Sequence, residues 1–257
     1  MSETLPDSFR NVVGPLDEGG AMPDRDRSPY ETVEPSRTGV VERDGVRIWH
    51  AVWGDSGPWL AFAPPFQIVH SEMLKGVVPY LSRHFRVVTV DGRGNGRSDR
   101  PQGQHAYSFD HFYADFVATL DATVGAERVA LVGISAAAMT VLRLAAEAPQ
   151  RVSHLVIAGG FADSRIATDT VARFFDAETA RLRDDWPRYL DDFISTIFTE
   201  AHSTKPYEDG VRYGWSTDAS AIDAGSHGGR DNDMRDLARC VACPTLVIRG
   251  DADRRAA

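Results

Sequence analysis

The chain has little cysteine: among 257 residues there are two, Cys240 and Cys243, in "RCVACPTLVIRG". Zinc would need two further ligands, and a redox CxxC opens a helix after a strand, whereas this pair stands before one. The pair reads as two small residues leading into a core strand, and no metal-ligand spacing is visible elsewhere. Long apolar runs are also lacking. The longest uncharged stretch, Val129 to Leu142, ends at Arg143, short of the ~20 apolar residues that a membrane-spanning helix needs. The opening "MSETLPDSFRNVV" has neither the basic nor the apolar region of a secretory signal. A soluble, cytoplasmic protein with no membrane partner is the expectation. Positive charge is in deficit, with 28 Lys and Arg against 37 Asp and Glu and a net charge of −9. Binding a phosphate backbone requires clustered Lys and Arg to displace counterions, so no nucleic-acid partner is expected.

What is present is enough apolar content, 42%, for one sizeable core and a single domain. Residues 1–36 are rich in Pro, Asp, Glu, Ser and Arg without a sustained period, and read as a flexible extension. From Gly39, "GVVERDGVRIWHAVWG" alternates and predicts a hairpin turning at Asp44-Gly45, a pair that tolerates the left-handed conformation. Apolar runs then alternate with helical stretches: "PWLAFAPPF", "SEMLKGVVPYLSRHF", "RVVTVD", a helix near 108–124, "RVALVG", a helix to about Ala148, "SHLVIAGG" and finally "TLVIRG". Strands without polar alternation, separated by helices, predict an α/β fold with a mostly parallel sheet covered on both faces. Between "VIAGG" and "TLVIRG" the pattern is mostly helical and far longer than a plain crossover. An inserted helical cap over about 164–238 in a domain spanning 37–257 accounts for it.

In such sheets the chemistry sits at the carboxyl ends of the strands. There the sequence places Gly133-Ile134-Ser135-Ala136-Ala137, after "RVALV" and before the helical "AAMTVLRLAAEA". This strand–turn–helix context predicts a nucleophile elbow, with the Ser135 hydroxyl exposed above the sheet and small neighbours letting strand and helix pack closely. Ala137 stands where the usual pattern has glycine, adding a methyl group at a crowded point. The competing reading is a serine that merely begins a helix.

With "VDGRGNGRSDRP", the serine elbow, "APQRVSHLVIAGG", the helical insertion and "CPTLVIRGDAD", the chain resembles the α/β-hydrolase fold family over roughly residues 38–253. The resemblance implies a triad of serine, acid and histidine in that chain order, with an oxyanion hole. By it, the Ala136 N–H is one oxyanion donor. The second would come from the loop after "WLAFA", where the family often has His-Gly and this chain has Pro64-Pro65. Proline has no N–H, so Phe66 is the implied donor. The family spacing counted from Gly250 selects Asp253 rather than Asp251 as the acid that orients a histidine.

Two further features bear on the site. "DGRGNGRS" invites a dinucleotide reading, but Arg97 occupies the place of the third fingerprint glycine, so the motif fails and no nucleotide cofactor is expected. It reads instead as a Gly-rich turn beside the nucleophile strand. The eight histidines, at 50, 70, 84, 105, 111, 154, 202 and 227, all precede Asp253, whereas the family's histidine follows the acid. His227, in "GSHGGR", is the candidate for an unusual approach. The expectation is a truncated hydrolase lacking its final strand and helix, with "TLVI" left as an apolar edge open to self-association. Function is therefore read as hydrolysis of a small-molecule carboxylic ester or related acyl bond through Ser135, without cofactor or metal. The alternative is a non-catalytic remnant or small-molecule binding module that lacks the triad histidine.

Overall fold

The structure, a computed structural model, describes residues 33–164, 180–198, 200, 202, 204–228 and 232–251. The expected extension over 1–36 thus falls mostly outside the described residues. The hairpin forms as predicted: β1 (Arg37–Arg43) and β2 (Val46–Trp53) run antiparallel with Arg43 opposite Val46. Asp44 and Gly45 both take positive φ, 54° and 75°, which gives the primed turn whose twist matches the flanking strands.

Five more strands complete the sheet: β3 (Trp59–Phe62), β4 (Arg86–Val90), β5 (Val129–Ile134), β6 (Val152–Ala158) and β7 (Thr245–Ile248). Their order is β1-β2-β4-β3-β5-β6-β7, and every pair from β4 to β7 is parallel. Alternate residues face opposite cores. Trp59, Ala61, Val88, Leu131 and Val129 point to one face, where α2 (Phe109–Thr123) and α3 (Ala137–Glu147) pack. Leu60, Phe62, Val87, Ala130 and Val132 point to the other, against Leu74 and Val78. Both faces of the inner strands are apolar because both are buried.

"SEMLKGVVPYLSRHF" is less regular than its pattern suggests. It forms a 3-10 turn, Ser71–Leu74, and one short helix, α1 (Val78–Leu81), with Pro79 in its first turn. Gly76 and a proline that cannot donate an N–H break the continuous helix.

Between β6 and β7 the described elements are helical: α4 (Trp186–Ser195), α5 (Thr204–Gly214), α6 (Ala219–Gly228) and α7 (Arg235–Arg239). α4 starts where Asp185 accepts from the Arg188 N–H and Pro187 needs no partner. The chain leaves β6 and returns toward β7 through a paired stem. Asp163 bridges Asp233, Ser164 N–H donates to Asn232 O at 2.8 Å, and Met234 N–H donates to Ala162 O at 2.6 Å. Met234 is buried in the sheet–helix core, whereas α4 packs with Ile68, Leu182 and Ile222 in a separate apolar cluster.

Val247 and Ile248 of β7 are exposed, 66% and 51%. Among the described residues no helix is long and apolar enough to cross a membrane. Cys240 and Cys243 are both free, and Cys240 donates to Asp236 O at the end of α7.

Candidate functional site

After β3 the chain goes to β4 on one side, then crosses through α2 to β5 on the other, so the strand order reverses at β3. A crevice opens at the carboxyl ends where such a reversal occurs. The loop after β3 and the turn after β5 flank it. Phe62 pairs with Val132, and Ala63 N–H donates to Val132 O at 3.0 Å. Phe66 and Ala136 each lie four residues beyond that pair.

Ser135 occupies the turn from β5 into α3 with φ of 54°, a conformation that non-glycine residues adopt only where surroundings enforce it. Those surroundings are visible. Ser135 N–H donates to Ala158 O at the end of β6, and Ser135 O accepts from Ala138 N–H, each at 3.0 Å. A Cβ on Gly133 would stand 2.6 Å from Val141 Cγ2 and 2.9 Å from Ala137 O, so glycine is required where the strand passes under the helix. Ala137, in the usual glycine position, is accommodated: it is 2% exposed and part of the main core.

The Ser135 side chain is exposed. Among the described residues nothing hydrogen-bonds to its Oγ, and the N–H groups of Ala136 and Phe66 have no acceptor. Phe66 carries its ring into the apolar cluster of the inserted helices, 6.2 Å from the Phe193 ring. The Pro64-Pro65 stretch therefore leaves a free N–H at the next residue and anchors the loop through that residue's side chain.

The glycine-rich loop after β4 is organised around Asp91, which is wholly buried. Its carboxylate accepts from Ser71 N–H at 3.0 Å and Arg97 N–H at 2.9 Å, and its carbonyl accepts from Ser98 Oγ at 2.6 Å. A Cβ on Gly96 would lie 2.4 Å from Asp91 Oδ2. The loop thus folds inward on its own acid. It caps β4, which β3 separates from β5, so the turn is one strand removed from the strand that leads to Ser135 rather than beside it.

Next to Asp91 sits His70, 6% exposed and edge-on to Tyr213 of α5 at 5.0 Å. Its Nδ1 is 4.0 Å from Asp91 Oδ1, too far for a hydrogen bond, and accepts from Glu72 N–H instead. Burial holds its pKa below the ordinary imidazole value despite Asp91 and Glu72. Sequence reasoning passed over Asp91 and His70. The signal for the first was an acid opening a glycine-rich turn; the second is seen only once the 3-10 turn folds back on β4.

The remaining expected members are not brought to Ser135 among the described residues. Asp253 lies outside the described residues, and Asp251 is exposed beyond β7. His227 caps its own helix, with Nδ1 2.8 Å from Asp223 O. His50 and His70 are buried in other neighbourhoods, and His111 meets Arg43. Among the described residues no histidine hydrogen-bonds Ser135, and no set of three His, Cys, Asp or Glu side chains could hold a metal ion. The aromatics of the insertion divide. Tyr189 and Tyr213 are core, Phe193 and Phe198 flank the helical cluster, and Trp215 is 56% exposed; Phe174 and Phe175 fall outside the described residues.

A parallel sheet whose order reverses beside a strained serine turn defines a class of α/β enzymes. Comparison with known proteins narrows it. The family profile of the alpha/beta hydrolase fold matches residues 69–196. The chain is 26% identical over 227 residues to a non-heme haloperoxidase of Rhodococcus erythropolis, covering 84% of this chain and 81% of that one. It is 30% identical over 187 residues to a 2-hydroxy-6-oxo-2,4-heptadienoate hydrolase of Pseudomonas putida, covering 69% and 65%. A solved hydrolase of Pseudomonas aeruginosa superposes with a TM-score of 0.74 at 25% identity, over 86% of this chain and 83% of that one. The chain belongs to the α/β-hydrolase fold family.

Proposed function

We propose that the protein is a serine hydrolase of carboxylic esters or related acyl bonds. The observation that carries this reading is the Ser135 turn: a serine at φ of 54° with an exposed, unpartnered hydroxyl, after a strand aligned with the loop that ends in the free Phe66 N–H. Ser135 Oγ attacks the acyl carbon, and its proton passes to the departing alkoxide. The N–H groups of Ala136 and Phe66 receive the oxyanion, as fixed donors that cost no reorganisation. Water then cleaves the acyl-enzyme and restores the serine. Asp253 is assigned the support of a histidine base, and no described histidine is given that role.

The test is covalent labelling of the folded chain with a fluorophosphonate, read by peptide mass. Labelling at Ser135 that is lost in Ser135→Ala is the expected result. A folded chain that takes no label, and turns over no p-nitrophenyl ester above the Ser135→Ala variant, would replace this reading with that of a binding module. The observation that favours the second reading is that no described histidine hydrogen-bonds Ser135.

A further inference from the structure

The loop after β3 passes from one core to another. Phe62 and Ala63 belong to the two cores that flank the sheet, whereas Phe66, Ile68 and Val69 belong to the apolar cluster of the inserted helices. Pro64 and Pro65 mark the passage, and neither has an N–H to tie the chain back to β4 or β5. Among the described residues of the stretch 63–69, the Ala63 N–H, bonded to Val132 O at 3.0 Å, is the last backbone donor to reach a strand.

Beyond that bond the loop is held largely through its side chains. Ile68 is buried in the helical cluster. Gln67 is buried against α6, where a Cβ on Gly225 would stand 2.0 Å from its Nε2, and its carbonyl accepts from Asn95 Nδ2. Phe66 meets α4: its ring lies 6.2 Å from that of Phe193, tilted by 41°, within the range of an attractive aromatic pair. The Phe193 ring is itself braced. Trp186, Tyr189 and Phe193 recur along one face of α4, and Tyr189 stacks at 5.9 Å on each of the other two.

The ring and the N–H of Phe66 share one Cα, so a contact that fixes the first restricts the second. We infer that Phe193 is a positioning residue: by clamping the Phe66 ring, the inserted helix α4 sets where the Phe66 N–H lies relative to the Ser135 turn. The inference rests on the proposed hydrolase reading for what that N–H does, and not for what holds it.

Phe193→Ala removes the ring, and Phe193→Leu keeps an apolar contact in its place. Two measurements are made on the full chain. The first is amide hydrogen exchange at Val69, whose N–H donates to Phe66 O at 3.2 Å, with Ala63 as the reference at the strand end. Phe193→Ala should speed exchange at Val69 and leave Ala63 as in wild type, and Phe193→Leu should restore Val69. The second is steady-state hydrolysis of p-nitrophenyl acetate, expressed per site titrated with a fluorophosphonate. Phe193→Ala should lower kcat roughly 10²-fold, the cost of a misplacement of about 1 Å, with KM little changed, and Phe193→Leu should recover most of the loss.

A residue that only stabilises the insertion would speed Ala63 and Val69 together and leave kcat per titrated site intact, and one that lines the acyl site would raise KM instead. Either result overturns the inference, as does unchanged exchange at Val69. A folded wild type that takes no label removes the Ser135 reading and with it the catalytic half of the inference, while exchange at Val69 continues to decide whether α4 holds the loop.

Discussion

Gly160 and Ala138 touch where β6 ends against the elbow helix: a Cβ at 160 would stand 2.4 Å from Ala138 Cβ and 3.2 Å from Ser135 O. The missing side chain is what lets β6 end against α3 and hand the Ala158 carbonyl to Ser135 N–H. Gly160→Ala must push α3 away from β6, with an overpacking cost of about 1–3 kcal/mol. It should lower the urea midpoint and, under the proposed reading, slow labelling of Ser135 in protein that is still folded. Unchanged stability together with unchanged labelling would show that the contact does not hold the turn.

A second constraint acts from below. Arg93, in the loop after β4, reaches Asp115 of α2 with two bonds, Nε to Oδ2 at 2.6 Å and Nη2 to Oδ1 at 2.8 Å, both side chains nearly inaccessible. Arg43 of the hairpin adds a third, at 2.8 Å. Replacing Asp115 with Asn leaves guanidinium charge without a counter-ion, a defect of about 3–5 kcal/mol when buried. Urea denaturation of Asp115→Asn should show a loss of that order, and a loss below about 1 kcal/mol would place the pair in the class of surface ion pairs.

Much of this architecture is legible in the sequence wherever the signal is local. Asp44-Gly45 announces its turn because few residue pairs tolerate two positive φ values. Ser135 announces its own because it stands between a β-branched run and a string of small helix formers. The failures are long-range. Nothing local says that β4 inserts between β2 and β3, and so the glycine-rich loop was assigned to the wrong neighbour. Asp91 owes its importance to Ser71 and Arg97 converging on it, and Gly160 to the position of Ala138.

Stability should also fall as the medium is acidified. Burial holds His50 below the ordinary imidazole value of 6.5, with Arg37 adding to the effect. Burial does the same for His70, where Asp91 and Glu72 pull upward while Arg97 and Arg212 push down. A group whose pKa is lower folded than unfolded takes its proton more readily in the unfolded chain. Its contribution is therefore full above the unfolded value and is lost as pH falls from that value toward the folded one. The melting temperature should drop as pH falls through and below the ordinary imidazole value of 6.5, and His70→Gln, which stays neutral, should flatten part of that slope. A profile equally steep in the variant would remove His70 from the account.

The last prediction separates a backbone role from a side-chain role at Phe66. Its N–H is unpartnered, while its ring packs among the inserted helices with Phe193. Phe66→Leu keeps the N–H and most of the apolar volume, so it should cost stability modestly and, under the proposed reading, leave turnover of an ester substrate near wild type. Phe66→Pro removes the N–H as well, and loss of one oxyanion donor lowers kcat by about 10²–10³-fold. Both variants are measured for kcat and for thermal melting, because the ring is lost in each, whereas proline alone removes the donor and fixes φ. If Phe66→Pro is folded and retains the kcat of Phe66→Leu, the second oxyanion donor lies elsewhere in the loop after β3. A kcat drop confined to the proline variant, with KM little changed, is the signature of a group that acts on charge appearing only in the transition state.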